Sequence, residues 1–230
     1  MSEDEPKKGW GCMQWGAVLG VIILLVGFFS SIGSSLVTRS RQMIGASNAG
    51  QIVGLLLTYA SEYNGVFPDH GKDLTKLTSN DVFRVLFKEG LIQDETIFGC
   101  PLSGVLPDKN FGAAPDYAQA LMPGENHWMF TAGLSATAPS HYPLVMEDAV
   151  TSTWPPQWSP SSKSFFSFAP PKNRPSGSAW KDGSILAAFN DGSVQPVKLT
   201  LKNGILSLPK SVLKPEGKTP LPELKILDVE

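Results

Sequence analysis

Hydrophobic and polar positions divide the chain into three regimes. No charged residue occurs from Gly9 to Thr38, and Val18 to Phe29 is built almost wholly of Val, Leu, Ile and Phe. A run apolar on every side has no water-facing stripe, so it predicts a membrane-spanning helix over 10–38 rather than a buried core helix. Each Leu, Ile, Val or Phe favours insertion by about 0.3–0.6 kcal/mol. Trp10 and Trp15 suit the interface at its N-terminal end. No A-x-A cleavage site follows the run, which favours a retained anchor over a secretory signal peptide. In the second regime, Met43, Ile44, Ile52, Val53, Leu56, Tyr59, Ala60 and Tyr63 recur at steps of three and four. This predicts an amphipathic helix over 39–63, with Asn64-Gly65 as its stop.

The third regime, 64–210, alternates short apolar runs with turn residues and predicts an α+β head. Thr78-Ser79-Asn80-Asp81 is a capping signal for a helix through Lys88, with Gly90 after it. Ile97 to Pro101 reads as a strand entering a turn. Residues 151–181 are rich in Pro, Ser and Trp and read as a long surface loop. Ile185 to Phe189 reads as a strand covered on both faces or packed under the spine helix. Asn190-Asp191-Gly192 is its hairpin turn, Ser193 to Leu201 the partner, and Lys202-Asn203-Gly204 a second turn. Pro196 cannot donate to a ladder, so the partner strand belongs at an edge or meets a bulge there. Residues 211–230 read as a polar tail.

Composition narrows the function classes. Nineteen Lys and Arg against 21 Asp and Glu give a net charge of −2, without the basic excess of a nucleic-acid binder. The 22 Gly and 19 Pro exclude a long-helix bundle outside the N-terminal region. Two Cys exclude a disulfide-rich scaffold. Lys7 and Lys8 are matched by Arg39 and Arg41, so basic residues do not decide the orientation of the span. Gly16, Gly20 and Gly27 share a helical face, and Gly16 to Gly20 is a G-x-x-x-G match, a pattern that lets helices approach closely in lipid.

The layout resembles type IV pilin-like proteins, most of all the G-type pseudopilins of type II secretion and prepilin-like proteins with a C-terminal Asp-Gly hairpin. Lys7-Lys8-Gly9 is similar to the end of their basic leader, which makes 1–9 a cytoplasmic leader or tail. Trp10 would be the first mature residue and Gln14 the fifth. Tyr63 to Pro68 resembles their helix-end segment, Phe98 to Pro101 their F-x-C-P element, and Phe189 to Val194 their closing F-x-D-G-x-V hairpin. The resemblance implies a long N-terminal transmembrane and amphipathic spine helix with an antiparallel-sheet head. It implies prepilin, pseudopilin or type IV pilus-like roles in protein transport across the cell envelope. It places the chain in a bacterial inner membrane as a single-pass protein, N-terminus cytoplasmic and head outside. Other pilin-like subunits and secretion or pilus assembly proteins would be its partners. The family has a Glu at the fifth mature position, where a carboxylate pairs with a neighbour's amine. Gln14 carries no charge, so the chain would be a minor subunit or one that keeps the fold outside a filament.

No catalytic constellation is present. His70, His127 and His141 form neither H-x-x-x-H nor H-E-x-x-H and read as surface or loop residues. No G-x-S-x-G occurs, and Gly217-Lys218-Thr219 has Val212 where a P-loop begins. The chain therefore reads as no enzyme, with no cofactor and no metal. The resemblance raises calcium at Asp182 and Asp191, but the D-x-D-x-D run of a calcium loop is missing and turn chemistry is preferred there. Cys100 reads as a buried thiol. An alternative function is a membrane-tethered envelope-binding module, its contact surface formed by Trp154, Trp158, Phe165, Phe166, Phe168 and Trp180; the preferred reading of these aromatics is that they pin the long loop onto the head.

Overall fold

The computed structural model describes residues 11–101, 103–161 and 175–229, with the side chains of 12–14 and 26–35 outside that set. The leader residues Gly9 and Trp10, the side chains of Gln14 and Gly27's surroundings, and Phe165, Phe166 and Phe168 therefore lie outside the described residues. The fold is α+β, with a long N-terminal helix and antiparallel sheets. The helix α1 spans Cys12–Glu62. Contacts divide the chain into two units, Met1–Ser40 and Arg41–Glu230.

In the second unit, α1 is followed by α2 (Ser79–Lys88), a 3-10 turn (Glu95–Phe98), β1 (Trp128–Ala132), β2 (Pro143–Glu147) and β3 (Gln157–Trp158). Then come β4 (Ser184–Phe189), β5 (Val194–Lys198), β6 (Thr200–Lys202), β7 (Ile205–Ser207), α3 (Lys210–Leu213) and β8 (Lys225–Leu227). The main sheet is antiparallel in the order β5-β4-β2-β1-β8, and β3-β7-β6 form a second sheet.

Local chemistry explains the helix ends. Thr78 Oγ1 accepts from the Asp81 N–H at 3.2 Å, and Asp81 Oδ2 accepts from the Thr78 N–H at 3.0 Å, a reciprocal capping box. The α1 stop is a left-handed pair: Asn64 and Gly65 have φ of 56° and 81°, and the Gly65 N–H reaches back to the Ala60 carbonyl at 2.7 Å.

The central strands β1, β2 and β4 are buried on both faces, which is why Ile185 to Phe189 is apolar without alternation. Leu186 and Ala188 join Ala49, Ile52, Val53, Leu56 and Ala60 of α1 and Val82, Phe83, Leu86 and Phe87 of α2. Ile185, Ala187 and Phe189 instead join Trp158, Leu206 and Leu208 around the small sheet. A bulge between Pro143 and Val145 puts both Leu144 and Val145 on the helix side. Gly45 and Gly50 of α1 permit close packing: a Cβ would lie 3.0 Å from Leu186 Cδ1 at the first and 3.4 Å from Val194 Cγ2 at the second.

The Asp-Gly hairpin forms as expected, with β5 and its Pro196 at the sheet edge and Gly192 at φ 81°. Four expectations are corrected. Ile97 to Pro101 is not a strand: residues 95–98 coil into the 3-10 turn because Asp94 caps it through Thr96. The tail 211–230 is not merely polar, since β8 pairs with β1 and buries Ile226 and Leu227. Segment 151–181 is not loop throughout, since it contributes β3 to the second sheet, while its Trp158 and Trp180 pin it onto the head as expected. The partner of β4 does not run on to Leu201: β5 ends at Lys198, and Thr200–Lys202 form β6, which the expected second turn at Asn203 and Gly204 joins to β7 in that separate sheet.

Replacing Gly192 by Val should lower the stability of residues 41–230 by about 1 kcal/mol or more, because a β-branched residue is strained at this φ. Thr78→Ala should cost roughly 0.5–2 kcal/mol through loss of the cap. Chemical denaturation of the two variants beside the parent measures both.

Candidate functional site

The chemistry-bearing residues that the fold brings together lie at one end of the β1–β2 pair. Trp128 is in register with Glu147, so His127, one residue earlier, stands beside the end of β2. The Asp148 N–H donates to the His127 carbonyl at 2.8 Å, and the His127 N–H to the Phe98 carbonyl at 2.9 Å. The second bond ties the 3-10 turn to this corner. Cys100 follows two residues later, held by a bridge to Val105 whose N···O distance is 3.1 Å. Gly99 is needed at that crossing: a Cβ there would sit 2.7 Å from Pro107 Cδ and from the Val105 carbonyl. Asn48 of α1 donates to the Gly99 carbonyl at 3.1 Å.

Cys100, His127 and Glu147 are buried, and each offers one ligand-type atom within 4.8 Å of the others. Glu147 Oε1 lies 3.6 Å from His127 Nε2 and 4.0 Å from Cys100 Sγ. Its other oxygen accepts from Trp180 Nε1–H at 2.7 Å and from the Leu186 N–H at 3.2 Å. Trp158 Nε1–H donates to the Glu147 carbonyl at 3.3 Å. Burial by itself would lower the His127 pKa; the hydrogen bonds and charges of Cys100 and Glu147 outweigh it and push it up from 6.5 to about 9. Both neighbours thus favour the protonated form of the imidazole.

A second group, Glu95, Asp108 and Glu125, is acidic and lies where the 106–125 loop packs on the 3-10 turn. Its carboxylates serve the loop backbone. Glu95 Oε1 accepts from the Leu121 N–H at 2.9 Å, and Glu125 from the Asp108 and Met122 N–H groups at 3.2 and 2.7 Å. Burial raises the Glu95 pKa, and the neighbouring Glu125 and Asp108 charges add to the rise.

His127 corrects the expectation of three surface histidines, because it directly precedes β1, which carries it into the interior. His70 is exposed, and the partly exposed His141 contacts the Thr219 carbonyl at 3.1 Å. Asp182 and Asp191 stand apart from both groups, as turn residues. Asp182 Oδ1 accepts from Ser184 Oγ–H at 2.6 Å, and Asp191 Oδ1 from Ser193 Oγ–H at 2.6 Å. The Ser193 hydroxyl bond holds the Asp191 pKa below its usual value. Trp158 and Trp180 point into the head and offer no contact surface, whereas Trp154 is half-buried. Along α1, a Cβ at Gly16 or Gly20 would meet nothing within 4 Å. Large apolar side chains are exposed there at Trp15, Leu19, Val21, Ile22, Ile23, Leu24 and Leu25. Counting only described residues, no helix is long and apolar enough to cross a membrane. No family model, curated protein or solved structure matches the chain.

With chelator present, the stability that His127 contributes should be complete below about pH 6.5 and fade as pH rises through about 9, since its folded pKa is the raised one. Cys100 and Glu147 are the titratable groups facing it. Glu147→Gln removes the carboxylate charge and should shift that loss to lower pH. Melting temperatures across this window, parent against variant, check the sign and the shift.

Proposed function

We propose that the chain is a membrane-anchored, pilin-like structural subunit, a minor pseudopilin of a type II secretion or type IV pilus-like system. It acts through helix packing and head contacts rather than catalysis. The reading is supported by the exposure of consecutive large apolar residues on α1. Val21, Ile22, Ile23, Leu24 and Leu25 are all about half exposed or more, Leu24 at 74%. Successive residues turn by about 100° around a helix, so five in a row leave no polar side. Such a surface is stable only in lipid or among neighbouring apolar helices. Open space at Gly16 and Gly20 suits a close helix partner.

The other end of α1 packs against the sheet through Ala49, Ile52, Val53, Leu56 and Ala60. One helix thus carries an apolar surface open to an outside partner and the core of a folded head. The alternative of a tethered envelope-binding module rests on the aromatic-rich segment, and Trp158 and Trp180 of that segment are already spent on the head's interior.

Fractionation tests the reading. The full chain should remain in the membrane pellet through alkaline carbonate and leave it only with detergent, while residues 41–230 should be recovered without detergent. Intact mass of the extracted chain should give Trp10 as the N-terminus. Release by carbonate would overturn the anchor. An intact Met1 with retained membrane association would remove the prepilin part and leave a plain signal anchor.

A further inference from the structure

We propose that Cys100, His127 and Glu147 form a buried site for a single zinc ion. The three residues supply a sulfur, an imidazole nitrogen and a carboxylate oxygen, and they come from three separate segments: the turn after residue 98, the start of β1 and the end of β2. Their ligand atoms face one another within 4.8 Å, with Nε2 3.6 Å and Sγ 4.0 Å from Glu147 Oε1. Bond lengths of about 2.0–2.3 Å to a tetrahedral zinc ion place its ligand atoms roughly 3.3–3.8 Å apart. The two edges that meet at Glu147 Oε1 lie within a few tenths of an ångström of these spacings, and the third, from Cys100 to His127, is no longer than 4.8 Å, so a modest inward shift of the Cys100 turn closes the triangle on an ion.

Charge favours the same ion. A thiolate and a carboxylate neutralise a dication, so the loaded site carries no net charge into an interior where an unpaired charge is costly. On binding, the thiol proton and the proton between His127 Nε2 and Glu147 leave to solvent. The donor set is wrong for calcium or magnesium, which take oxygen ligands, and suits a borderline-soft metal.

The surroundings of Glu147 also match those of a metal-bound carboxylate. Trp180 Nε1–H at 2.7 Å and the Leu186 N–H at 3.2 Å occupy Oε2, which orients Oε1 toward His127 and Cys100. Hydrogen bonds of this kind fix a ligand's direction, and their loss commonly weakens binding by about 10–100-fold. Three protein donors leave one tetrahedral position for a water. The pilin-like reading has no bearing on this site, which lies wholly within residues 41–230.

The test uses the full chain in detergent with Cys12→Ser, so that Cys100 is the only thiol. After chelation and dialysis the protein is titrated with cobalt(II), then with zinc. The expected result is a near-ultraviolet thiolate-to-cobalt band that saturates at one equivalent and disappears as zinc displaces the cobalt. Zinc should raise the melting temperature at the same stoichiometry. Cys100→Ser should abolish the band, and Trp180→Phe should weaken cobalt binding about 10–100-fold while keeping the band. The titration of the Cys12→Ser chain decides the matter even if the other variants fail to fold. A folded chain with neither the band nor a zinc-dependent shift would overturn the proposal and leave an ionic hydrogen-bonded cluster only.

Discussion

Helix α1 has to satisfy two environments, and the rest of the structure follows from that constraint. Between Ala49 and Ala60 its apolar residues are fully buried and form one wall of the head's main cluster. At Leu19 to Leu25 apolar residues are exposed on every side. Without the first segment the helix-side face of the main sheet, Trp128, Phe130, Leu144, Leu186 and Ala188, would lose much of its cover. Fully burying a side chain of this size contributes about 1.5–3 kcal/mol. Without a lipid or protein partner for the second segment, the same arithmetic works against solubility.

Glu147 is the polar counterpart inside the head. It brings a carboxyl group to a position with no exposure, where an unsatisfied polar group costs several kcal/mol. Trp180, the Leu186 backbone, His127 and Cys100 gather around it, and Trp158 anchors on its carbonyl. In this way one residue ties β2, β4, the start of β1, the Cys100 turn and the Trp-rich segment together. Asp148, the next residue, holds the far side of that segment by accepting from the Gly177 N–H at 2.9 Å and from Ser176. Gly177 is required there, since a Cβ would lie 2.7 Å from the Val150 nitrogen.

The parts legible in the sequence are those set by local rules. The 3.6-residue recurrence marked 39–63, the Thr78–Asp81 box marked α2, and Asn190-Asp191-Gly192 marked the β4–β5 hairpin. Pro196 marked an edge or a bulge because its missing N–H cannot serve a central ladder. What was not legible depends on long-range pairing. Trp128 to Ala132 and Pro143 to Glu147 carry few turn signals and alternate poorly, because both faces of their sheet are covered. Residues Lys225–Leu227 hold too few apolar side chains to show a strand before β1 is there to receive it. The Cys100–His127–Glu147 group has no sequence spacing to betray it, since His127 and Glu147 meet through the β1–β2 register and Cys100 joins them through the bond of the His127 N–H to the Phe98 carbonyl. The one available signal was chemical: His127 and Glu147 directly flank apolar runs, an unusual place for polar residues unless they face each other.

The most direct measurement of the account is the environment of the first part of α1. Single cysteine replacements at Val21, Ile22, Ile23 and Leu24, each in a chain with Cys12→Ser, can be spin-labelled after reconstitution into lipid vesicles. Collision rates with oxygen and with a water-soluble nickel chelate then report the surroundings of each position. The account predicts high oxygen and low nickel accessibility at all four, with no polar side as the label moves around the helix. A nickel-accessible side recurring every three or four residues would show a water-facing surface and would contradict it.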